Sequence, residues 1–363
     1  MSFADRFAAW RNRLISDPNF QSWAVRNPFT RPIAGKKAKA AFDLVAGFVY
    51  SQVLAAVVEC RLLERVRHAP VTDTAFADAA DIPLEGAQRL LRAAAALGLV
   101  RVQSDGRYGL GETGAAFLGN PSVFAMVRHH AAFYRDIGDP LALLRERRSD
   151  TELSRFWAYE TSTSKGDAAA YSALMAETQA LIAQNVLDAY DFRTHHTVMD
   201  VGGGLGAFLT AVGERHPGPQ LVLVDLHPVA ALAQEKLSQG PLAGRFRFEP
   251  RDMLREPLPE GADLITLVRV VHDHDDRPVR LLLSSIRRAL APGGRLLIAE
   301  PMAGIPGTEA MADAYFGLYL WAMGRGSPRR PDELATLLEE AGFSQIRPLK
   351  TAQPLLVSAI IAS

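Results

Sequence analysis

Phe3, Phe7, Trp10 and Leu14 recur at helical spacing while Arg6, Arg11 and Arg13 fall mostly off that stripe, which predicts an amphipathic helix with an aromatic face at the start of the chain. From Ala41 to about Arg101 a second helical pattern runs through Phe42, Leu44, Val45, Phe48, Leu54, Val57 and Val58 to Leu90 and Leu91. Short apolar runs at 100–102 and 108–110 follow, joined by a turn at Ser104-Asp105-Gly106, so this part reads as helices followed by a hairpin, the winged-helix arrangement. Residues 120–190 are helical again and rich in large apolar groups, among them Phe124, Met126, Phe133, Tyr134, Phe156, Trp157, Tyr159, Tyr171, Leu174 and Met175. After His195-His196 the period changes. Apolar runs at 197–201, 221–225, 246–249, 264–268 and 295–300 alternate with helical stretches, which predicts a parallel sheet covered on both faces. A last strand is expected at 355–362, after a turn near Gln353-Pro354. The expected divisions are 1–118, a helical segment at 119–190, and 191–363.

Composition removes several classes. Forty basic residues balance forty acidic ones, so the chain lacks the broad positive field that holds a protein on nucleic acid. The segment that would read DNA in a winged helix, 84–95, offers only Arg89 and Arg92 as cations, which favours dimerisation as the module's use over a DNA-binding regulator. Cys60 is the only cysteine, which excludes an internal disulfide and a multi-cysteine metal site and suits a reducing cytoplasm. Residues 1–20 lack the apolar core of a signal peptide, and no window reads as a membrane span of roughly 20 apolar residues. Residues 1–40 nevertheless carry eight basic side chains (Arg6, Arg11, Arg13, Arg26, Arg31, Lys36, Lys37, Lys39) against two acidic ones, Asp5 and Asp17. With the aromatic stripe, this excess suits peripheral contact with an anionic inner-membrane face, or packing on the protein's own body or a partner subunit.

The glycine-rich turn Gly202-Gly203-Gly204-Leu205-Gly206 stands at the carboxyl end of the first strand of the alternating half, where an open α/β sheet has its ligand crevice. Gly202, Gly204 and Ala207 also satisfy the dinucleotide fingerprint, which keeps an NAD enzyme in play. Asp200 speaks against it, because a carboxylate there can hold an ammonium but repels a pyrophosphate. Asp225, ending the second strand, can accept both hydroxyls of a ribose and serves either cofactor. Asp252 and Met253 after the third strand supply an acceptor for an adenine amino group and a soft apolar cover for its ring. A helix cap or a solvated loop is the ordinary use of each acid taken alone.

Asp-Val-Gly-Gly-Gly-x-Gly at 200–206, Val-Asp-Leu at 224–226, Arg-Asp-Met at 251–253 and Ala-Pro-Gly-Gly-Arg-Leu-Leu-Ile at 291–298 together resemble the class I O-methyltransferases of the caffeate and hydroxyindole type. The resemblance covers nearly the whole chain. It implies an α/β fold in which a Rossmann-like methyltransferase domain follows a mainly α winged-helix dimerisation domain, and a homodimer. It further implies S-adenosylmethionine as cofactor, held by Asp200, Gly202, Gly203, Gly204, Asp225, Leu226, Asp252, Met253 and Arg269. Arg269-Val270-Val271-His272-Asp273-His274-Asp275-Asp276 resembles the family's Arg-Val-Leu-His-Asp-Trp-Asp-Asp, which puts the family's general base on His272 and its companion glutamate on Glu300. An imidazole titrating near neutrality suits removal of a hydroxyl proton. Two histidines and three carboxylates within 272–276 also leave a metal reading open, although the family resembled works without metal. Two departures stand out: Pro328 occupies the place of the family's second flanking glutamate, and His274 that of its tryptophan.

The segment Met311, Tyr315, Phe316, Leu318, Tyr319, Trp321, Ala322 and Met323 is almost wholly apolar and, with residues 124–175, is expected to line a long pocket for a hydrophobic alcohol, or to serve a dimer interface. Gly-Phe-Val-Tyr-Ser-Gln at 47–52, Asp-Pro-Leu-Ala-Leu-Leu-Arg at 139–145 and His-Asp-His-Asp-Asp at 272–276 resemble the carotenoid branch of the family in purple phototrophic bacteria, the hydroxyneurosporene and demethylspheroidene O-methyltransferases. That resemblance implies the tertiary hydroxyl of an acyclic carotenoid as acceptor. A small phenol or polyketide is the alternative.

Overall fold

The computed structural model describes residues 2–120, 122–146, 150–157 and 178–363. Tyr159, Tyr171, Leu174 and Met175, expected at a pocket, lie outside the described residues. The chain falls into two compact units that divide after Asn120.

In the first unit α1 (Phe3–Ser16) starts where Ser2 and Asp5 close a reciprocal capping box, and it buries none of its residues. Its expected aromatic face is fully on show, with Phe3, Phe7 and Trp10 all more than half exposed. After α2 (Pro18–Arg26) comes α3 (Arg31–Glu59), of which only Val57 and Val58 are buried. By length and average hydropathy alone it is apolar enough to cross a membrane, although Asp43, Gly47, Ser51 and Gln52 keep it from holding roughly 20 apolar residues in a row. Phe42, Leu44, Val45 and Phe48 leave an apolar face of α3 exposed. The helices α4 (Leu62–Val66), α5 (Asp73–Ala80) and α6 (Leu84–Ala96) close a small core on Leu62, Leu63, Phe76 and Leu91. Strands β1 (Val100–Val102) and β2 (Tyr108–Leu110) pair antiparallel as the expected hairpin, and α7 (Glu112–Leu118) follows.

The second unit opens with α8 (Ser122–Asp136), α9 (Pro140–Arg145) and α10 (Glu152–Phe156), and α11 covers 178–189. Then strands and helices alternate: β3 (Thr197–Val201), α12 (Ala207–Arg215), β4 (Gln220–Asp225), α13 (His227–Leu237), β5 (Phe246–Pro250), β6 (Ala262–Val268), α14 (Asp276–Ala289) and β7 (Leu290–Glu300). A π-turn at Ala310–Phe316 runs directly into α15 (Gly317–Met323), followed by α16 (Pro331–Glu340), β8 (Arg347–Leu349) and β9 (Ser358–Ala362).

The seven strands lie in the order β5-β4-β3-β6-β7-β9-β8. Strands β3 to β7 are mutually parallel, but β9 enters antiparallel to β7 and carries β8 antiparallel on its outer side, so the sheet is mixed where a parallel one was expected. Alternate residues go to opposite faces, as pleating requires. Met199, Val201, Ile265 and Ile298 pack with Leu282, Leu283, Ile286, Leu334 and Leu338 on one face. Val198, Leu221, Leu264 and Leu297 pack with Val186, Phe208, Leu209 and Val212 on the other. The chain reverses its direction of strand addition between β3 and β6, and a doubly wound sheet opens its ligand crevice at such a point, outside the carboxyl ends of the strands.

Candidate active site

The crevice is built from strand ends. β3 delivers Asp200 and is followed by the glycine turn, β4 ends on Asp225 and is followed by Leu226, β5 is followed by Asp252 and Met253, and β6 ends on Val268 and is followed by Arg269. All nine residues expected to hold a cofactor line one cavity: Asp200, Gly202, Gly203, Gly204, Asp225, Leu226, Asp252, Met253 and Arg269. Gln179, Val229, Arg251, Asp273 and His274 join them, and the sequence reading had not assigned them there. At Gly204 φ is +57° and a Cβ would meet no atom within 4 Å, so bare backbone faces the cavity.

Each acid has a definite setting. Asp200 is 2% exposed, and its Oδ1 accepts a hydrogen bond from the Thr266 hydroxyl at 2.6 Å. Burial pushes its carboxyl up to about 7, the Thr266 bond restrains the rise, and Asp225 adds to it. Among the described residues no cation pairs with it. Asp225 accepts from the Gly204 N–H at 2.7 Å and the Leu226 N–H at 2.8 Å, which ties the glycine turn to the end of β4. Asp252 accepts from the Leu254 N–H at 2.9 Å. Arg269 takes a left-handed backbone, φ +60°, and its Nη1 donates to Thr178 at 2.7 Å. A non-glycine residue held there costs of order 1–3 kcal/mol and persists only where its surroundings impose it.

His272 does not line the cavity. It lies just behind the wall, 4% exposed, in the tight turn Val271–Asp273 after β6, with Phe316 packed 5.8 Å from its ring. Glu300, fully buried at the end of β7, accepts from the His272 N–H at 3.0 Å, and the same carboxylate oxygen is 3.7 Å from the ring's Nδ1. The other ring nitrogen, Nε2, is 3.0 Å from Asp273 Oδ1, without the alignment of a hydrogen bond. Thus the expected neighbour Glu300 is present, and the second carboxylate beside the ring comes from the adjacent residue, Asp273. Burial depresses the imidazole, but Asp273 and then Glu300 more than offset it, so His272 sits above the ordinary histidine value. Burial raises Asp273, but His272, His274 and Arg269 together outweigh it and leave it below the usual carboxylate range. Burial also raises Glu300, and there it wins. His274 is 4% exposed at the cavity wall.

The apolar segment expected to line an acceptor pocket packs against the second unit's own helices. Tyr319, Leu320, Ala322 and Met323 share a core with Phe133, Leu143, Leu153 and Trp157. Two polar pairs cross this core: His129 Nε2 lies 2.5 Å from the Tyr319 hydroxyl and His130 Nε2 lies 2.7 Å from the Tyr315 hydroxyl. Burial lowers His129 to about 4 and raises both phenols. Adjacent histidines on an otherwise apolar helix face were the signal for these pairs, and the sequence reading passed over it.

Two family models match the chain, an O-methyltransferase dimerisation domain over residues 42–120 and an O-methyltransferase domain over 141–344. Demethylspheroidene O-methyltransferase of Cereibacter sphaeroides is 43% identical over 96% of this chain and 93% of its own, and that of Rhodobacter capsulatus is 40% identical over 93% and 85%. Among solved structures, human N-acetylserotonin methyltransferase in complex with SAM superposes with a TM-score of 0.77 at 26% identity, covering 90% of this chain and 97% of that one. Mitomycin 7-O-methyltransferase gives the same score and identity over 92% and 99%. With both models matched in order and relatives of this identity along nearly its whole length, the chain belongs to the O-methyltransferase family.

Proposed function

We propose that the protein moves a methyl group from S-adenosylmethionine to a hydroxyl of a hydrophobic acceptor, the tertiary 1-hydroxyl of an acyclic carotenoid, with His272 as general base. The observation that carries this reading is the convergence of nine cofactor-type residues on one cavity, with a buried histidine between two carboxylates directly behind its wall. The residues fit the cofactor: a buried carboxyl at Asp200 with no cation paired to it among the described residues suits an ammonium, and bare backbone at Gly204 allows close approach. When bound, S-adenosylmethionine supplies an electrophilic methyl on a sulfonium. Asp200 would hold the ammonium, Asp225 the ribose hydroxyls, Asp252 the adenine amino group and Met253 the ring face, while Arg269 and the backbone of Gly202 and Gly203 complete the wall. The carotenoid acceptor rests on the two bacterial relatives of that name.

His272 receives the acceptor's proton, and Glu300 fixes its backbone and stabilises the imidazolium that forms. An alkyl alcohol is far less acidic than imidazolium, so His272 cannot ionise it beforehand, and proton loss accompanies methyl transfer. The test is transfer of labelled methyl to a 1-hydroxy acyclic carotenoid in detergent. We expect His272→Ala to lose about 10²–10⁴-fold in rate, with cofactor binding kept. A mutant with wild-type turnover would remove the base.

We further propose that the exposed apolar face of α3 is covered by a second copy of the chain, within the region matched as a dimerisation domain. Residues 1–40, which precede that match, rest peripherally on the cytoplasmic face of the inner membrane, where the acceptor is dissolved. Exposed Phe3, Phe7 and Trp10 beside Arg6, Arg11 and Arg13 support this. Replacing Phe7 and Trp10 by serine is expected to release the protein from phosphatidylglycerol vesicles in a flotation assay. Unchanged flotation would exclude the contact.

A further inference from the structure

The stretch 326–330 is where the family resemblance seeks a second acid beside the base, and a buried cation stands there instead. Arg329 is 3% exposed. Its Nη1 donates to the Val271 carbonyl at 2.9 Å and its Nη2 to the His274 carbonyl at 2.7 Å. Its Nε and Nη2 both reach Asp276 Oδ1, at 3.1 and 2.9 Å. These acceptors bracket His272 and Asp273 along the chain. Two backbone donors add to the grip: the Ser327 N–H bonds the His272 carbonyl at 2.9 Å, and the Gly326 N–H bonds Asp275 Oδ1 at 3.1 Å. At Gly326 φ is +75° and a Cβ would lie 2.1 Å from the His272 carbonyl oxygen, so the passing segment presses on that peptide as closely as glycine permits.

A buried cation is a poor device for stability alone, since well-packed apolar groups of similar volume commonly serve as well or better. A guanidinium, however, presents planar donors in a fixed fork, and here the fork ties three points of one six-residue turn. Resting on the reading of His272 as base, we propose that Arg329 is a positioning residue. It holds the backbone of residues 271–276 so that the His272 ring stays between Asp273 and Glu300 and next to the cofactor cavity. The turn that carries the base is thereby fixed through its carbonyl groups, and loss of the second flanking acid at Pro328 leaves the ring's place defined.

The experiment compares the full-length protein with Arg329→Lys, Arg329→Ala and His272→Ala. Three readouts are taken: S-adenosylmethionine affinity by calorimetry, kcat for methyl transfer to a 1-hydroxy acyclic carotenoid, and the His272 imidazole titration by NMR of histidine-labelled protein. Lysine keeps the charge but cannot span the three acceptors. We expect kcat to fall about tenfold in Arg329→Lys and about 100-fold in Arg329→Ala, the size of effect that a small misplacement of a reacting group produces. Cofactor Kd should stay within about twofold. In both variants the His272 titration should move down toward that of a free histidine as the carboxylates lose their register. Wild-type kcat in a folded Arg329→Lys protein, or a lowered kcat with an unmoved His272 titration, would overturn the proposal. The titration needs no acceptor, so failure of the carotenoid as substrate is told apart from failure of the positioning role. Wild-type turnover in His272→Ala would separately remove the base.

Discussion

Cofactor affinity should carry the titration of Asp200. Its carboxyl is pushed up to about 7 in a pocket that supplies one hydroxyl, from Thr266, and no cation among the described residues. To hold an ammonium the group must be ionised, so binding expels a proton wherever the free protein carries one there. At pH 6 about one-tenth of the molecules are ionised at Asp200, and at pH 7.5 about three-quarters. The cofactor's own α-amino group, ordinarily titrating near 7.7–8.0, has begun to lose its charge by then, so the apparent Kd should fall about sixfold across that interval, equivalent to ~1 kcal/mol. Above about pH 7.5 that loss dominates and affinity should decline again. Isothermal titration of S-adenosylmethionine at half-unit steps would trace this bell. In Asp200→Asn the acid limb should vanish, the alkaline limb should flatten for want of a charged partner, and affinity near pH 7.5 should drop. A wild-type affinity that is flat from pH 6 to 7.5, or an acid limb that survives in the asparagine variant, would refute the reasoning.

The same residue should trade stability for binding. Its raised carboxyl contributes folding stability that is present below about pH 4 and is lost as the pH rises through 7, so Asp200→Asn without cofactor should gain at pH 8, by at most about 4 kcal/mol, read as a higher Tm. Glu300→Gln keeps an acceptor for the His272 N–H but removes a charge that holds the imidazole up. The acid limb of kcat should then move to lower pH, and an unmoved limb would show that Glu300 does not act on His272 electrostatically. Gly326→Ala would drive a methyl into the His272 carbonyl, so kcat should fall by about 100-fold in a rapid-quench assay while cofactor affinity holds.

Much of this was legible in the letters. Strand β3 was read to its ends, and so were both strands of the hairpin, because short apolar runs bounded by turn residues leave few other assignments. The nine cofactor residues converged because each sits at the end or just beyond the end of a strand, and strand ends of a doubly wound sheet meet at one place. The antiparallel entry of β9 was not legible, since direction leaves no mark on an apolar run buried on both faces. β8 was missed because three residues including Pro348 carry no periodic signal. The hold of Arg329 on the His272 turn was out of reach for a different reason. Two of its three acceptors are backbone carbonyls, which every residue has, so nothing in the sequence marks Val271 or His274 as its partner.

The π-turn at Ala310–Phe316 bears on how this part of the chain can evolve. Such a turn is an α-helix with one extra residue, and that residue rotates everything beyond it by about 100° relative to what precedes it. Tyr315 near the end of the turn and Tyr319 four residues on lie on one line, facing His130 and His129 respectively. Substitutions within the turn keep that phase, whereas a single insertion or deletion shifts it and parts both hydroxyls from their partners at once. Descendants of this protein should accordingly vary in composition from Ala310 to Ala314 while keeping Tyr315, Phe316 and the number of residues constant, so that length is the inherited character of the segment.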